Sequence, residues 1–138
     1  MNKMMLVFLL LPLSLVPLGS AYQHPAKEAP LMTRDLPDVP GKEGLIEKVV
    51  LAPGEVVPAH RHNADVFVYV LEGSIFTQVE GGKPQTVHAG EVFYESPSDV
   101  HIASGNASTT QPATLLVFAV KKIGAPLTVY SGKANSAR

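Results

Sequence analysis

The chain has 138 residues, 46% of them hydrophobic, with 11 Lys and Arg against 12 Asp and Glu and no Cys. This length and composition are typical of one globular domain, and a net charge of −1 argues against a nucleic-acid partner. The lack of Cys excludes disulfides, thiol nucleophiles, Cys-ligated zinc and iron–sulfur clusters, so catalysis would need oxygen, nitrogen or a metal held by His and carboxylate groups.

Residues 1–21 have the pattern of a secretory signal peptide. Lys3 precedes an apolar segment that is broken by Pro12 and Pro17, and small residues follow up to Ala21. The apolar segment is shorter than the roughly 20 residues that span a bilayer, and no Cys is present for lipid attachment. We therefore expect cleavage after Ala21, a secreted or periplasmic protein, and no stable membrane anchor.

Residues 22–43 form a Pro-rich N-terminal arm with no sustained hydrophobic period. The residue before a proline is pushed toward extended conformations, so the arm is expected to be extended or poorly ordered. Residues 131–138 are small and polar, which predicts a flexible tail. The folded domain is therefore expected to span residues 44–130.

From Leu45 onward the sequence predicts β-strands. Short runs rich in Val, Ile, Phe, Tyr and Thr are separated by turn residues, and no segment holds a 3.6-residue apolar period. Gly81 and Gly82 lie between two such runs and could form a two-residue hairpin turn. We expect an all-β fold whose core and lining include Phe67, Tyr69, Phe76 and Tyr94. The predicted strands are LIEKVVL, VFVYVL, SIFTQV, VFY and TLLVFAV.

Three of the histidines are candidate metal ligands. His60 and His62 lie two residues apart, so in a strand both side chains share one face, and a neighbouring antiparallel strand could bring His101 opposite them. Three convergent imidazoles suit a divalent Zn, Fe, Ni, Cu or Mn ion. The alternative is a solvated loop for the pair and a hydrogen-bonded core residue for His101. We expect His24 and His88 to take no part.

Two segments carry a family resemblance. The segment GEVVPAHRHNADVFVYVLEG, from Gly54 to Gly73, resembles the first motif of the cupin superfamily, G-x5-H-x-H-x3,4-E-x6-G. The segment GEVFYESPSDVH, from Gly90 to His101, is similar to the second motif, G-x5-P-x-G-x2-H-x3-N. The resemblance implies a small single-domain cupin, which is a jelly-roll β-barrel of antiparallel strands, often a homodimer, with a metal inside the barrel.

By position, the resemblance assigns His60, His62 and His101 as ligands of a divalent transition metal. The Glu of the first motif has no counterpart, because Val66 occupies its place and cannot coordinate a metal. Asp65 would face away from the histidines unless the preceding loop breaks the strand alternation. Glu95, which precedes the second-motif turn, is favoured as the replacement carboxylate, with an outward orientation as its alternative.

The second motif also departs from the family pattern. Ser96 and Ser98 stand where the family often has Pro and Gly, and the Asn comes one residue late, at Asn106. Pro97 and Asp99 can still form the turn, since Pro presets φ and Asp caps a backbone amide.

Three functions remain open at this point. The first is a metal-dependent enzyme acting on a small molecule, and the resemblance permits dioxygenase, isomerase or lyase chemistry without selecting one. The second is a non-catalytic module that binds a small ligand or a metal in the cell envelope. The third is a structural barrel in which the histidines have no function.

Overall fold

The structure, a computed structural model, describes residues 27–131 and contains only β-strands as regular elements in that range. The predicted signal peptide (residues 1–21), His24 and nearly all of the predicted tail lie outside the described residues. Nowhere in residues 27–131 is there a helix long and apolar enough to cross a membrane. The strands are β1 (Lys27–Asp35), β2 (Lys42–Leu51), β3 (Val56–Val57), β4 (His60–His62), β5 (Ala64–Glu72), β6 (Ser74–Val79), β7 (Gln85–His88), β8 (Val92–Glu95), β9 (Val100–Asn106), β10 (Ala113–Lys122) and β11 (Thr128–Tyr130).

The strands form two antiparallel sheets. One sheet has the order β1-β2-β10-β5-β8, and the other has the order β11-β4-β9-β6-β7, with β3 paired to β9. This arrangement confirms the predicted all-β jelly-roll fold. The hydrophobic core lies between the sheets and is built largely from the inward side chains of β2, β5 and β10.

Strand β5 shows why the prediction of Phe67 and Tyr69 as core and lining residues was wrong, whereas Phe76 on β6 is half-buried. Val66, Val68 and Val70 are buried, whereas Phe67 and Tyr69 between them are 49% and 42% exposed. Because successive side chains of a strand point to opposite faces, small apolar residues occupy the interior and the large rings lie outside. Tyr94 is likewise 52% exposed, and its ring lies 5.2 Å from that of Phe67 between centroids.

Part of the expected N-terminal arm is a strand. β1 pairs with β2 from Lys27 opposite Val50 to Asp35 opposite Glu43, and the register shifts between Pro30 and Met32. Proline lacks the backbone N–H that a central strand requires, so it is tolerated in this edge strand at an irregularity. Strand β2 itself begins at Lys42.

The predicted hairpin forms between β6 and β7, but its connection is longer than two residues. Residues 80–84 join the strands, with Gly81 at a φ of +76° and the Gly82 amide donating to the Val79 carbonyl over 3.0 Å. The first pair beyond the turn is Thr77 opposite Gln85.

Candidate metal site

Strand pairing brings three histidines together inside the barrel. His60 and His62 point inward from β4, while Arg61 between them is exposed and donates to the Asn63 side-chain oxygen over 2.8 Å. β9 runs antiparallel to β4 and sets His101 directly opposite His60. The ring centroid of His60 lies 5.0 Å from those of both His62 and His101.

Glu95 adds a carboxylate from the facing sheet. In the pairing of β5 with β8, Glu95 lies directly opposite Val66, and directly opposed residues share one face of a sheet. The carboxylate therefore enters the barrel beside the position where the family motif has its Glu. Its two oxygens lie 3.2 Å from His62 Nε2 and 3.4 Å from His101 Nε2.

The side chains of His62, Glu95 and His101 each offer one ligand atom, and these atoms lie within 4.8 Å of one another. We refer to these three residues as the His/Glu triad. His60 lies beside the triad.

Asp65 lies on the opposite face of its strand. It accepts a hydrogen bond from the Tyr94 hydroxyl over 2.6 Å, and this bond is the largest of the causes that raise the pKa of Tyr94. Asp65 therefore belongs to the outer surface, as strand alternation predicted. His88 is exposed on β7, opposite Ser74.

The Nδ1 atom of each imidazole faces an oxygen. The partners are the Pro58 carbonyl for His60 at 2.8 Å, the Thr128 hydroxyl for His62 at 3.3 Å, and the Thr77 hydroxyl for His101 at 3.1 Å. Such contacts in metal sites fix the ring orientation and leave the other nitrogen for the metal. Neither threonine could be predicted from the sequence, because only the pairing of β11 with β4 and of β6 with β9 brings them to the site.

The donor set fits a divalent cation. His101 is 2% exposed, and its Nε2 forms no hydrogen bond within residues 27–131, although a Glu95 oxygen lies 3.4 Å away; a buried polar atom without a hydrogen bond is costly. Burial lowers the pKa of His60, and the neighbouring His62 and His101 lower it further, while the Pro58 carbonyl opposes the shift. A lowered pKa favours the neutral imidazole, which is the form that binds metals.

The turn that carries the second motif closes despite its departures from the family. The Asp99 carboxylate accepts from the Ser96 amide over 2.7 Å, and the Asp99 amide donates to the Ser96 carbonyl over 3.0 Å. The late Asn106 is 4% exposed, and its amide donates to the carbonyls of Ala52 and Gln111 over 3.0 and 2.8 Å. These contacts give Asn106 a structural role.

A cavity of about 90 Å³ opens beside the triad. Its walls are mostly apolar and come from both sheets, and no Lys or Arg from the described part of the chain lines it. The polar lining residues are Glu28, Glu47, His60, His62, Thr77, Glu95, Ser104, Thr128 and Tyr130.

The two facing antiparallel sheets form a jelly-roll barrel, and its interior imidazoles and carboxylate have the donor types of a metal site. The sequence profile described as Cupin domain matches residues 47–119, and the chain belongs to this family. No curated protein matches the sequence.

Solved structures share the fold. The DMSP lyase DddQ from Ruegeria pomeroyi is 19% identical with a TM-score of 0.64, over 83% of this chain and 56% of that one. A cupin-like protein from Thermotoga maritima is 21% identical with a TM-score of 0.60, over 76% and 74% of the two chains. An oxalate oxidase in complex with the substrate analogue glycolate is 25% identical with a TM-score of 0.54, over 64% and 46%. The chain thus spans little more than half of the lyase and less than half of the oxidase.

Proposed function

We propose that this protein binds one divalent transition metal through His62, Glu95 and His101, with His60 as a fourth ligand. We also propose that this metal contacts a small molecule bound in the adjacent cavity. The observation that carries the proposal is the triad itself. Its ligand atoms converge within 4.8 Å in the barrel interior, and the Nε2 of His101 is buried there without a hydrogen-bond partner from the described residues.

His60 supports a fourth coordination position. Its Nδ1 is engaged by the Pro58 carbonyl, which leaves Nε2 as the free donor, and its ring stacks on His101 with 15° between the planes. Two histidines on one strand and one on its partner then face a carboxylate from the other sheet.

A metal held by these groups would keep an open position, at which it could polarise a ligand oxygen or activate water or dioxygen. The chain's own contribution is positioning. Thr77 and Thr128 hold two imidazoles by Nδ1, and the cavity beside them has mostly apolar walls.

An enzymatic role is our first candidate, because the cavity lies beside the triad, where a small molecule would meet the metal. The named neighbours include a lyase and an oxidase, and the fold alone does not choose among lyase, isomerase and dioxygenase chemistry. A non-catalytic binding module is the second candidate, favoured by Val66 at the place of the motif Glu.

Metal analysis tests the proposal directly. The protein would be purified without chelators or nickel resin, and its metals measured beside Glu95→Gln and Asp65→Asn. We expect about one metal per chain in the wild type and in Asp65→Asn, which removes a carboxylate from the outer face only, and little metal in Glu95→Gln. A wild type without metal would refute the proposal, and a fully loaded Glu95→Gln would remove Glu95 from the ligand set.

Turnover separates the two candidate roles. The metal-loaded protein would be screened with small oxygen-bearing substrates by mass spectrometry, with His101→Ala as the inactive control. Product formation that requires both metal and His101 identifies an enzyme. Saturable binding without product in the loaded wild type identifies a binding module.

We also propose export to the periplasm or outside the cell, supported by the signal-peptide pattern of residues 1–21. Mass spectrometry of the protein recovered from expressing cells tests this. A mature chain that begins at Tyr22 is expected, and an intact Met1 on cytoplasmic protein would contradict it.

A further inference from the structure

Glu47 is a buried carboxylate of the cavity that the metal cluster does not use. It points inward from β2 between Leu45 and Val49 and is 6% exposed. Its cross-strand neighbours are Pro30 on β1 and Val117 on β10, neither of which carries a side-chain hydrogen-bond donor. None of the ion pairs within residues 27–131 involves Glu47, and no hydrogen bond in this range contributes to its pKa.

Other titratable groups act on the Glu47 carboxylate. Burial raises its pKa most, the Glu28 carboxylate raises it further, and His62 acts in the opposite direction. Both carboxylates also raise the pKa of Tyr130, after burial. Glu28, Glu47, His62 and Tyr130 all line the same cavity.

A second polar group in the cavity also lacks a partner. Ser104 Oγ is buried and forms no hydrogen bond with the described residues, and Ser104 lies in the wall of the same cavity. The remaining wall is largely Val, Leu, Ile and Phe, with no Lys or Arg from residues 27–131. Glu47 faces this cavity without an ion-pair partner from residues 27–131, so a cation bound in the cavity would offset the cost of its ionised form.

From this charge pattern we infer that the cavity takes a small ammonium compound with an apolar body. The cationic end would lie on Glu47, the apolar part would contact the aliphatic walls, and a polar group would reach Ser104 or the triad. A small anion would meet Glu47 and Glu28 at this end of the cavity, where no Lys or Arg of residues 27–131 compensates its charge, and the proposed metal would be its one counter-charge. The inference rests on the proposed function to the extent that the cavity beside the triad is the ligand site.

Two probes of nearly equal shape show how much the positive charge of a ligand contributes to its affinity. Choline and 3,3-dimethylbutan-1-ol share a hydroxyl and a branched end and differ by one positive charge. Each would be titrated by calorimetry into the metal-loaded wild type, Glu47→Gln, Glu47→Asp and Glu80→Gln. Glu80 is exposed and outside the cavity wall, so Glu80→Gln removes the same charge elsewhere.

We expect the wild type and Glu80→Gln to bind choline at least about tenfold more tightly than the neutral alcohol. Glu47→Asp should keep a preference for choline, whereas Glu47→Gln should bind the two probes within about threefold of each other. Equal binding by the wild type, no saturable binding of either probe, or an unchanged preference in Glu47→Gln would each overturn the inference.

Metal content measured on the same samples separates this inference from the proposed function. A wild type that lacks metal but prefers choline through Glu47 contradicts the metal site alone. A loaded wild type without the preference contradicts the ammonium ligand alone.

Discussion

Glu43 and Glu47 are the same residue type on the same face of β2, and they are 7% and 6% exposed. Glu43 lies opposite Lys121 on β10 and accepts hydrogen bonds from its ammonium and, over 3.2 Å, from the Gly124 amide. Glu47 is four residues further along β2, on the same face, and lies opposite Val117. The bond from Lys121 lowers the pKa of Glu43, whereas burial raises the pKa of Glu47.

Strand register therefore gives two buried carboxylates different roles. Glu43 has a cation and a backbone donor, so its carboxylate is satisfied within the fold. Glu47 faces the cavity with neither a cation nor a backbone donor. Its burial therefore lowers the stability of the fold unless a ligand supplies the partner. Glu95 is a third case, since its neighbours are the imidazoles of His62 and His101 and, in our proposal, a metal.

Breaking the Glu43 pair should give the largest effect on stability. Lys121→Met leaves Glu43 buried without its cation and also removes the ammonium that donates to the Ala125 carbonyl over 2.7 Å. We expect Tm to fall by several degrees in calorimetry, with the metal content unchanged.

The matched control replaces both partners. Glu43→Leu combined with Lys121→Met should recover most of the lost Tm, because a buried pair can be exchanged for apolar side chains at little cost. A Lys121→Met variant as stable as the wild type would show that the pair of Glu43 and Lys121 does not stabilise the fold.

The next largest effect concerns the support of the triad. Thr77→Val removes the hydroxyl at His101 Nδ1 and keeps the side-chain shape, and loss of such a partner typically weakens metal binding by about 10- to 100-fold. Competition with a chromogenic chelator measures the affinity, and Thr86→Val, at an exposed position of β7, is the control. Equal affinities in the two variants would refute the role of Thr77.

Glu47→Gln should raise the stability of the ligand-free protein. The substitution removes a buried charge while keeping the side-chain length, and we expect a gain of about 0.5–2 kcal/mol in the free energy of unfolding at pH 7. Urea denaturation with Glu80→Gln as reference checks this. A clear loss of stability would mean that Glu47 has a partner that stabilises the fold.

The smallest effect is the pH dependence of the Glu43 pair. Because the pKa of Glu43 is lowered from 4.5, its contribution to stability is fully present above that value and is lost as the pH falls through the folded pKa. The Tm difference between the wild type and Lys121→Met should therefore shrink as the pH drops below about 4.5. A difference that stays constant to pH 3 would contradict the assignment.

Local pattern predicted much of the fold and part of the site. The strand character of β5 and the spacing of His60 and His62 are local, and so they could be interpreted from the sequence, but Phe67 and Tyr69 were not recognised as members of the outward face of β5. Strand alternation also placed Asp65 on the outer face.

The remainder depends on pairing between distant segments. The position of Glu95 opposite Val66, of Lys121 opposite Glu43, and of Thr77 and Thr128 behind the imidazoles follows from register, which no local pattern encodes. Strand β1 was missed because Pro30 argues against a strand, and an edge position at an irregularity allows it.

The central claim is that the inward carboxylate and imidazoles hold a metal. Anomalous X-ray diffraction from crystals of the metal-loaded protein, recorded at the absorption edge of the metal found by elemental analysis, tests it most directly. We expect one anomalous peak per chain. The peak should lie about 2.0–2.2 Å from His62 Nε2, from His101 Nε2 and from an oxygen of the Glu95 carboxylate. A fully loaded protein whose peak lies elsewhere, with the triad atoms bonded only to one another, would contradict the account.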